Sequence, residues 1–239
     1  WVAATDYSGE LSISREILKR VVESYRRIRN TLRFLLANIA DFDPVRDELP
    51  VHQWLEIDRY AWLMTHDLQR FLVPTGERGG KADFPFPGCY GRYEFHLIVQ
   101  SLQTFCSEDL GGFYLDIIKD RLYTARANSR ARRSAQNALY HITQSLVRLM
   151  APILSFTAEE AWEVLSKDAT SVFEQAWHQH PLPSDAARPG GRWKKLRDLR
   201  SEVLKQLEAL RAAGKIGSSL QAEVEIYANG ENGEFLRSF

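Results

Sequence analysis

The densest group of ionisable side chains in the sequence is Asp116, Lys119, Asp120 and Arg121. General acid–base chemistry needs such groups held within hydrogen-bond reach of a substrate proton. The spacing argues for something simpler. Asp116 and Asp120 fall one helical turn apart with Lys119 between them, the pattern of a solvated or ion-paired helix face. The sequence has no Gly-rich phosphate loop, no HExxH and no Ser/His/Asp arrangement. Its six histidines, His52, His66, His96, His141, His178 and His180, are scattered. His178 and His180 stand two apart in an irregular stretch and read as a surface loop. Cys89 and Cys106 form no CxxC pair, which argues against a zinc site and a disulfide framework. No catalytic residue, metal ligand or cofactor is therefore expected within this chain.

Cationic side chains are more telling. Ser14 to Ile39 holds seven basic and two acidic residues, and Arg121 to Ala158 holds six arginines and no acid. The net charge of the whole chain is zero, so these tracts are local and point to a polyanion. In a helix of about 3.6 residues per turn, Arg26, Arg29, Asn30 and Arg33 fall on one stripe. Val21, Ile28, Leu32 and Leu35 fall opposite, and Phe34 lies at the border of the polar stripe. Guanidinium pairs with phosphate in a fork, Asn reads a base edge, and an exposed Phe offers a platform for an unstacked base. Two readings stay open. Either the face is an RNA-binding ridge, or Arg29 and Arg33 pair with acids of neighbouring helices while Phe34 enters the core. Arg121, Arg126, Arg130, Arg132 and Arg133 end one predicted helix and open the next. Positive charge at a helix N-terminus opposes its dipole, a cost that an external phosphate would offset.

These residues need helices to carry them. A composition of 44% hydrophobic and 26% charged residues is that of an ordinary soluble globular chain. The apolar run 146–156 is broken by Arg148 and Pro152 and is too short to span a bilayer. No signal peptide opens the chain, so a reduced cytoplasmic setting is expected. The start at Trp1 suggests a fragment or a processed product. Ser14 predicts an N-cap for a helix over 15–38. Further helices are predicted over 52–72, 93–105, 108–122, 129–150, 157–165 and 193–213. Thr157 and Glu160 have capping-box spacing, and Gly214 sits where a left-handed C-cap belongs. Residues 73–90 and 167–191 read as loops, and 221–228 alternates like a strand.

The wording of several segments resembles a known family. Ser24-Tyr-Arg-Arg-Ile-Arg-Asn-Thr31 with Leu32-Arg-Phe-Leu-Leu-Ala-Asn38 is similar to the opening helix of the anticodon-binding domain of class I isoleucyl-tRNA synthetases. So are Phe113-Tyr-Leu-Asp-Ile-Ile-Lys-Asp-Arg-Leu-Tyr123, Leu149-Met-Ala-Pro-Ile-Leu-Ser-Phe-Thr-Ala-Glu-Glu-Ala-Trp162 and Lys215-Ile-Gly-Ser-Ser-Leu220. Trp1-Val-Ala-Ala-Thr-Asp-Tyr7 looks like the segment after the catalytic domain. Valyl and leucyl relatives share the architecture but differ in the first two motifs.

The resemblance implies a mainly α fold: the class Ia synthetase anticodon-binding bundle with a small α/β junction element. Residues 1–13 would end the preceding segment, 14–168 form the bundle, 169–191 the linker and 192–239 a truncated junction helix and strand. It implies a monomer that binds the anticodon stem-loop of isoleucine tRNA, with Arg33 and Phe34 against anticodon bases. It also implies a parent enzyme that uses ATP and Mg and carries Zn in a tail absent here. Residues 71–89 look like a Pro/Gly-rich insertion relative to the family. A helical protein–protein scaffold, or an independent helical enzyme using 116–121, are the other readings.

Overall fold

The structure, a computed structural model, describes residues 1–74, 87–166, 170–181 and 190–238. It divides into two compact units, Trp1–Arg188 and Pro189–Phe239. The first is a helical bundle. Its leading helix, α1 (Arg15–Asn38), starts where Ser14 accepts a hydrogen bond from the Ile17 amide at 3.1 Å, as an N-cap should. Ile28, Thr31, Leu32 and Leu35 form its buried stripe. A short 3₁₀ turn at Val51–Gln53 leads into α2 (Glu56–Leu72), which packs along α6 (Arg130–Met150). Residues 134–139 of α6 are all buried, so α6 forms the axis of the bundle. Leu139, Ile142, Leu146 and Leu149 on α6, Trp62 on α2 and Leu35 on α1 are closed to solvent where these helices pack.

A helical turn begins inside the region expected to be a loop over 73–90. Val73, Gly88 and Cys89 are buried, and α3 (Gly88–Gly91) is a single helical turn. Gly88 has φ +60°, and a Cβ there would lie 2.5 Å from the Val73 carbonyl carbon. Glycine is what lets these two backbone segments meet. The centre of the expected insertion, 75–86, lies outside the described residues.

The two helices expected over 93–105 and 108–122 are one continuous helical run. It comprises α4 (Phe95–Thr104), a π-helical stretch Phe105–Tyr114 and α5 (Leu115–Thr124). Gly111 and Gly112 sit in the widened stretch. A Cβ on Gly111 would approach the Cys106 carbonyl to 3.1 Å, so any larger residue would push that carbonyl aside by a few tenths of an ångström. The expected capping box of α7 (Ser155–Leu165) is also not used. The helix begins two residues earlier, and both residues act across the bundle. The Thr157 hydroxyl lies 2.9 Å from that of Tyr25, and Glu160 binds Arg29.

Residues 170–181 form a strap on the bundle. Val172 is buried, its amide and the Ser171 hydroxyl donate to Glu159 at 2.9 and 3.0 Å, and Trp162 donates to the Thr170 carbonyl at 2.8 Å. Gln69 donates to the His178 carbonyl at 2.8 Å. His178 and His180 are thus half-buried parts of the bundle, not a surface loop. The sequence signal is misleading because the ring partners, Trp62, His66 and His141, lie on distant segments.

The second unit contains α8 (Gly190–Ala212) and α9 (Gly230–Arg237). Gly214 adopts φ +68° just past α8, where the Lys215 amide donates to the Leu210 carbonyl at 3.0 Å. That is the left-handed cap expected from the sequence. The strand expected over 221–228 is not formed, and the described residues contain no strand. Ser219–Gln221 is a 3₁₀ turn and the following residues are extended with exposed Val224, Ile226 and Tyr227. Alternation alone cannot make a strand when no neighbouring segment supplies the ladder.

Candidate nucleic-acid interface

The polar face of α1 is outward, as the helical projection requires. Arg26 is exposed and pairs with Glu23 at 2.7 Å. Asn30 and Arg33 are exposed and have no side-chain partner among the described residues. Phe34 is half-buried beside them. Its ring is neither sealed in the core nor fully free. Arg29 is the exception on this face. Both its terminal nitrogens bind Glu160 of α7 at 2.7 Å, which raises the guanidinium pKa above its already high value. The pair joins α1 to α7 and leaves Arg29 at the rim of the ridge. Sequence reasoning passed over Arg27, which is exposed, without a side-chain partner among the described residues, and next to Phe34 in helical projection.

The second basic tract does not survive as a unit. Arg121, Arg132 and Arg133 were expected to face a polyanion, and the structure turns them inward. Arg121 pairs with the buried Asp58, which also accepts from the Tyr114 hydroxyl at 2.8 Å and from Ser134. Burial raises the Asp58 carboxyl pKa, against the pull of Arg121. Arg132 grips Asp41 with both terminal nitrogens, at 2.6 and 3.0 Å, and donates to the Leu122 carbonyl at 3.2 Å. Arg132 and Gln136 together hold the Asp41 carboxyl below its ordinary range. Arg133 is buried and reaches Gln136 at 2.7 Å, Asn128 at 3.0 Å and Asp47 at 3.3 Å. Carboxylates far away in sequence thus balance the dipole cost that an external phosphate was expected to offset.

Two arginines of that tract remain outside. Arg126 is exposed without a side-chain partner among the described residues, and Arg130 is exposed while donating to the Gln53 carbonyl at 3.0 Å. Tyr123, also exposed, stands beside them on the last turn of α5. An isolated tyrosine gives no sequence signal for stacking. What marks it is its exposure, three residues before Arg126, unpartnered among the described residues. Gln136 donates to the Asn38 carbonyl at 2.9 Å and to Asp41 at 2.7 Å, fastening the C-terminal end of α1 to the first turns of α6. Phe34 lies four residues before Asn38, about 6 Å along the axis. The α1 face and the Tyr123–Arg130 patch therefore flank the same end of the bundle.

The suspected catalytic cluster disperses. Asp116 and Lys119 form an exposed pair at 2.9 Å, whereas Arg121 points into the core. The described residues contain no group of three or more His, Cys, Asp or Glu placed to hold a metal ion. Nor is any helix among them long and apolar enough to cross a membrane. The arrangement has the chemistry of a binding surface for a polyanion with unstacked rings.

Comparison with known proteins agrees. A family model described as the anticodon-binding domain of tRNA ligase matches residues 87–226, more than half of the chain. The chain belongs to this family. The matched segment runs from α3 to beyond α8, so α1 lies outside it. Curated relatives extend over α1 as well. The chain is 60% identical over 239 residues to "Isoleucine--tRNA ligase" of Dechloromonas aromatica. It is 56% and 57% identical over 238 residues to the proteins of the same name from Burkholderia vietnamiensis and Paraburkholderia phymatum. All of this chain is covered in each case, but it spans 24% of the relatives' length. The matched segment includes the strap over 170–181, and the similarity to the curated relatives extends to the helix that carries Arg33 and Phe34.

Proposed function

We propose that this chain is the part of an isoleucine–tRNA ligase that grips the anticodon stem-loop of isoleucine tRNA. The observation that carries the proposal is the outward face of α1. There Arg27, Asn30 and Arg33 have no side-chain partner among the described residues and Phe34 lies between them, half open. Arginine forks take phosphates and a flat ring takes an unpaired base, which is how single-stranded RNA loops are bound. Tyr123, Arg126 and Arg130 extend the surface at the same end of the bundle. Arg26 and Arg29 act at its rim, already tied to Glu23 and Glu160. Arg121, Arg132 and Arg133 serve the surface by tying α5 to α2 and the segment after α1 to α6.

The whole protein would attach isoleucine to its tRNA with ATP and Mg, using parts beyond these residues, and would hold Zn in its tail. This chain by itself would be a monomeric, cytoplasmic binding module without ligase turnover. Binding of isoleucine tRNA to this chain, followed by filter retention across a salt series, tests the reading. Affinity should fall steeply with salt, and a tRNA with a changed anticodon should bind more weakly. Arg33→Ala and Phe34→Ala should each lose affinity, about 1–3 kcal/mol for a stacked base. Equal, salt-insensitive binding of both tRNAs, unchanged in these variants, would refute it.

A further inference from the structure

Arg148 of α6 is half-buried, yet it has no carboxylate partner among the described residues. One terminal nitrogen donates to the Gln144 carbonyl at 2.8 Å and to the Gln144 side chain. The guanidinium lies 4.5 Å from the centre of the Trp162 ring. Its Nε is shielded from water and makes no hydrogen bond. Burial lowers the Arg148 pKa, although not far enough for an arginine to lose its charge. A cation in such a place is costly unless an anion or further hydrogen bonds reach it, and a ring face compensates only in part. Every other partly buried arginine discussed above meets a carboxylate: Arg29, Arg121, Arg132 and Arg133.

Arg148 also lines a cavity of about 760 Å³ between the C-terminal end of α1, α6, α7 and the 170–181 strap. That is within the range of small-molecule sites, roughly 300–1,000 Å³. Phe42, Tyr140 and Trp162 give it aromatic walls, and Gln144 and Gln175 give it amide donors and acceptors. Its ionisable lining residues other than Arg148 and Tyr140 are Asp43 and His178. Asp43 accepts from the Val45 amide at 2.9 Å, and burial holds His178 neutral, with a pKa of about 2. Arg148 is therefore the single cation among the described lining residues. Leu36 and Ala40 bring the cavity to the side of α1 that carries Arg29 and Arg33.

We propose that this cavity receives one nucleotide turned out of the bound RNA loop, its phosphate on Arg148 and its base among the aromatic walls. The proposal rests on RNA binding at the α1 face and adds a second, enclosed contact to it. No bond is made or broken. The forked edge of the guanidinium, left over by Gln144, is the recognition element.

The test uses the whole chain and an isoleucine anticodon stem-loop RNA. The Arg148 Nε–H resonance, followed by NMR with labelled arginine, should shift on saturation. Arg148→Lys, which keeps the charge and loses the fork, should raise Kd about tenfold. Val45 is 94% exposed at the cavity, so Val45→Asp leaves the fold intact and should also raise Kd several-fold. Millimolar AMP or UMP should shift the same resonance weakly. If the RNA binds in an Arg33-dependent way while Arg148 is unmoved and Val45→Asp is neutral, this inference is wrong and RNA binding stands. A shift with AMP or UMP but not with RNA also overturns it, in favour of a free-nucleotide site. Absence of any RNA binding removes both proposals.

Discussion

Acid should loosen the bundle well before the carboxylates that the fold depresses titrate, because four imidazoles are packed against one another between the strap and the helices. His141 Nδ1 and His178 Nε2 are 2.9 Å apart, and Trp62 donates to His180 at 3.0 Å. The His178 and His180 rings are centred 4.9 Å apart, with His66 5.5 Å from His180. Asp67 lies 3.6 Å from His66, and Arg148 adds positive charge near His178. Burial lowers His141 to about 4, and burial together with neighbouring charges lowers His178 to about 2 and His180 to about 3, from an ordinary 6.5. A lowered value means that the folded state keeps these rings neutral while the unfolded chain protonates them. Stability is therefore full above pH 6.5 and is lost as pH falls towards the folded values. One unit below 6.5, each ring favours unfolding by about 1.4 kcal/mol, so three independent rings would give about 4 kcal/mol. His141 and His178 share a hydrogen bond and can share a proton, which brings the expected loss at pH 5.5 to about 2–4 kcal/mol. Domains hold about 5–15 kcal/mol in all, so the change is easily seen. Urea unfolding followed by tryptophan fluorescence at pH 7.5, 6.5 and 5.5 measures it. The carboxylates that the fold depresses, Asp6, Asp41, Asp47, Glu94 and Glu160, lose their contribution at lower pH and do not confuse this window. His178→Phe should flatten the dependence. A midpoint that is the same at pH 7.5 and 5.5, or a slope unaltered in His178→Phe, would show that the cluster is not held neutral.

Three further outcomes follow from the packing. Asp58→Ala leaves Arg121 as an uncompensated inward charge and should cost about 3–5 kcal/mol in chemical denaturation; a loss below about 1 kcal/mol would mean that Arg121 finds water instead. Gly88→Ala must accept φ +60° and a Cβ 2.5 Å from the Val73 carbonyl carbon, so its melting temperature should fall by several degrees. Cys106 is buried with its thiol pushed up to about 12, and Cys89 is buried with its thiol also raised. Neither should react with a thiol reagent at pH 8 until the chain is unfolded.

The two basic tracts looked alike as sequence, and their different fates define what sequence reading can reach. Helical phase was legible on α1, because Ser14 starts the helix and the Ile28–Leu35 stripe orients it. Everything a quarter-turn or more away from that stripe must face out, and Arg33 does so. Phase alone cannot say whether a carboxylate waits nearby. Asp58 is 63 residues from Arg121, and Asp41 is 91 from Arg132. No local pattern records those meetings. The same limit explains Thr157 and Glu160, whose capping spacing is real but whose partners are Tyr25 and Arg29 on α1. It also explains the strand over 221–228, because alternation is local and a ladder is not. The π-helical stretch hid for another reason: the expected break fell at Cys106-Ser107, and Gly111 and Gly112 mark a widened turn only once the carbonyls of Cys106 and Ser107 are known to lie against them. A surface that binds RNA must keep cations unneutralised, so the decisive evidence is the absence of nearby acids in space. Arg27, Arg33 and Arg126 satisfy that condition among the described residues; Arg121, Arg132 and Arg133, equally basic on paper, do not.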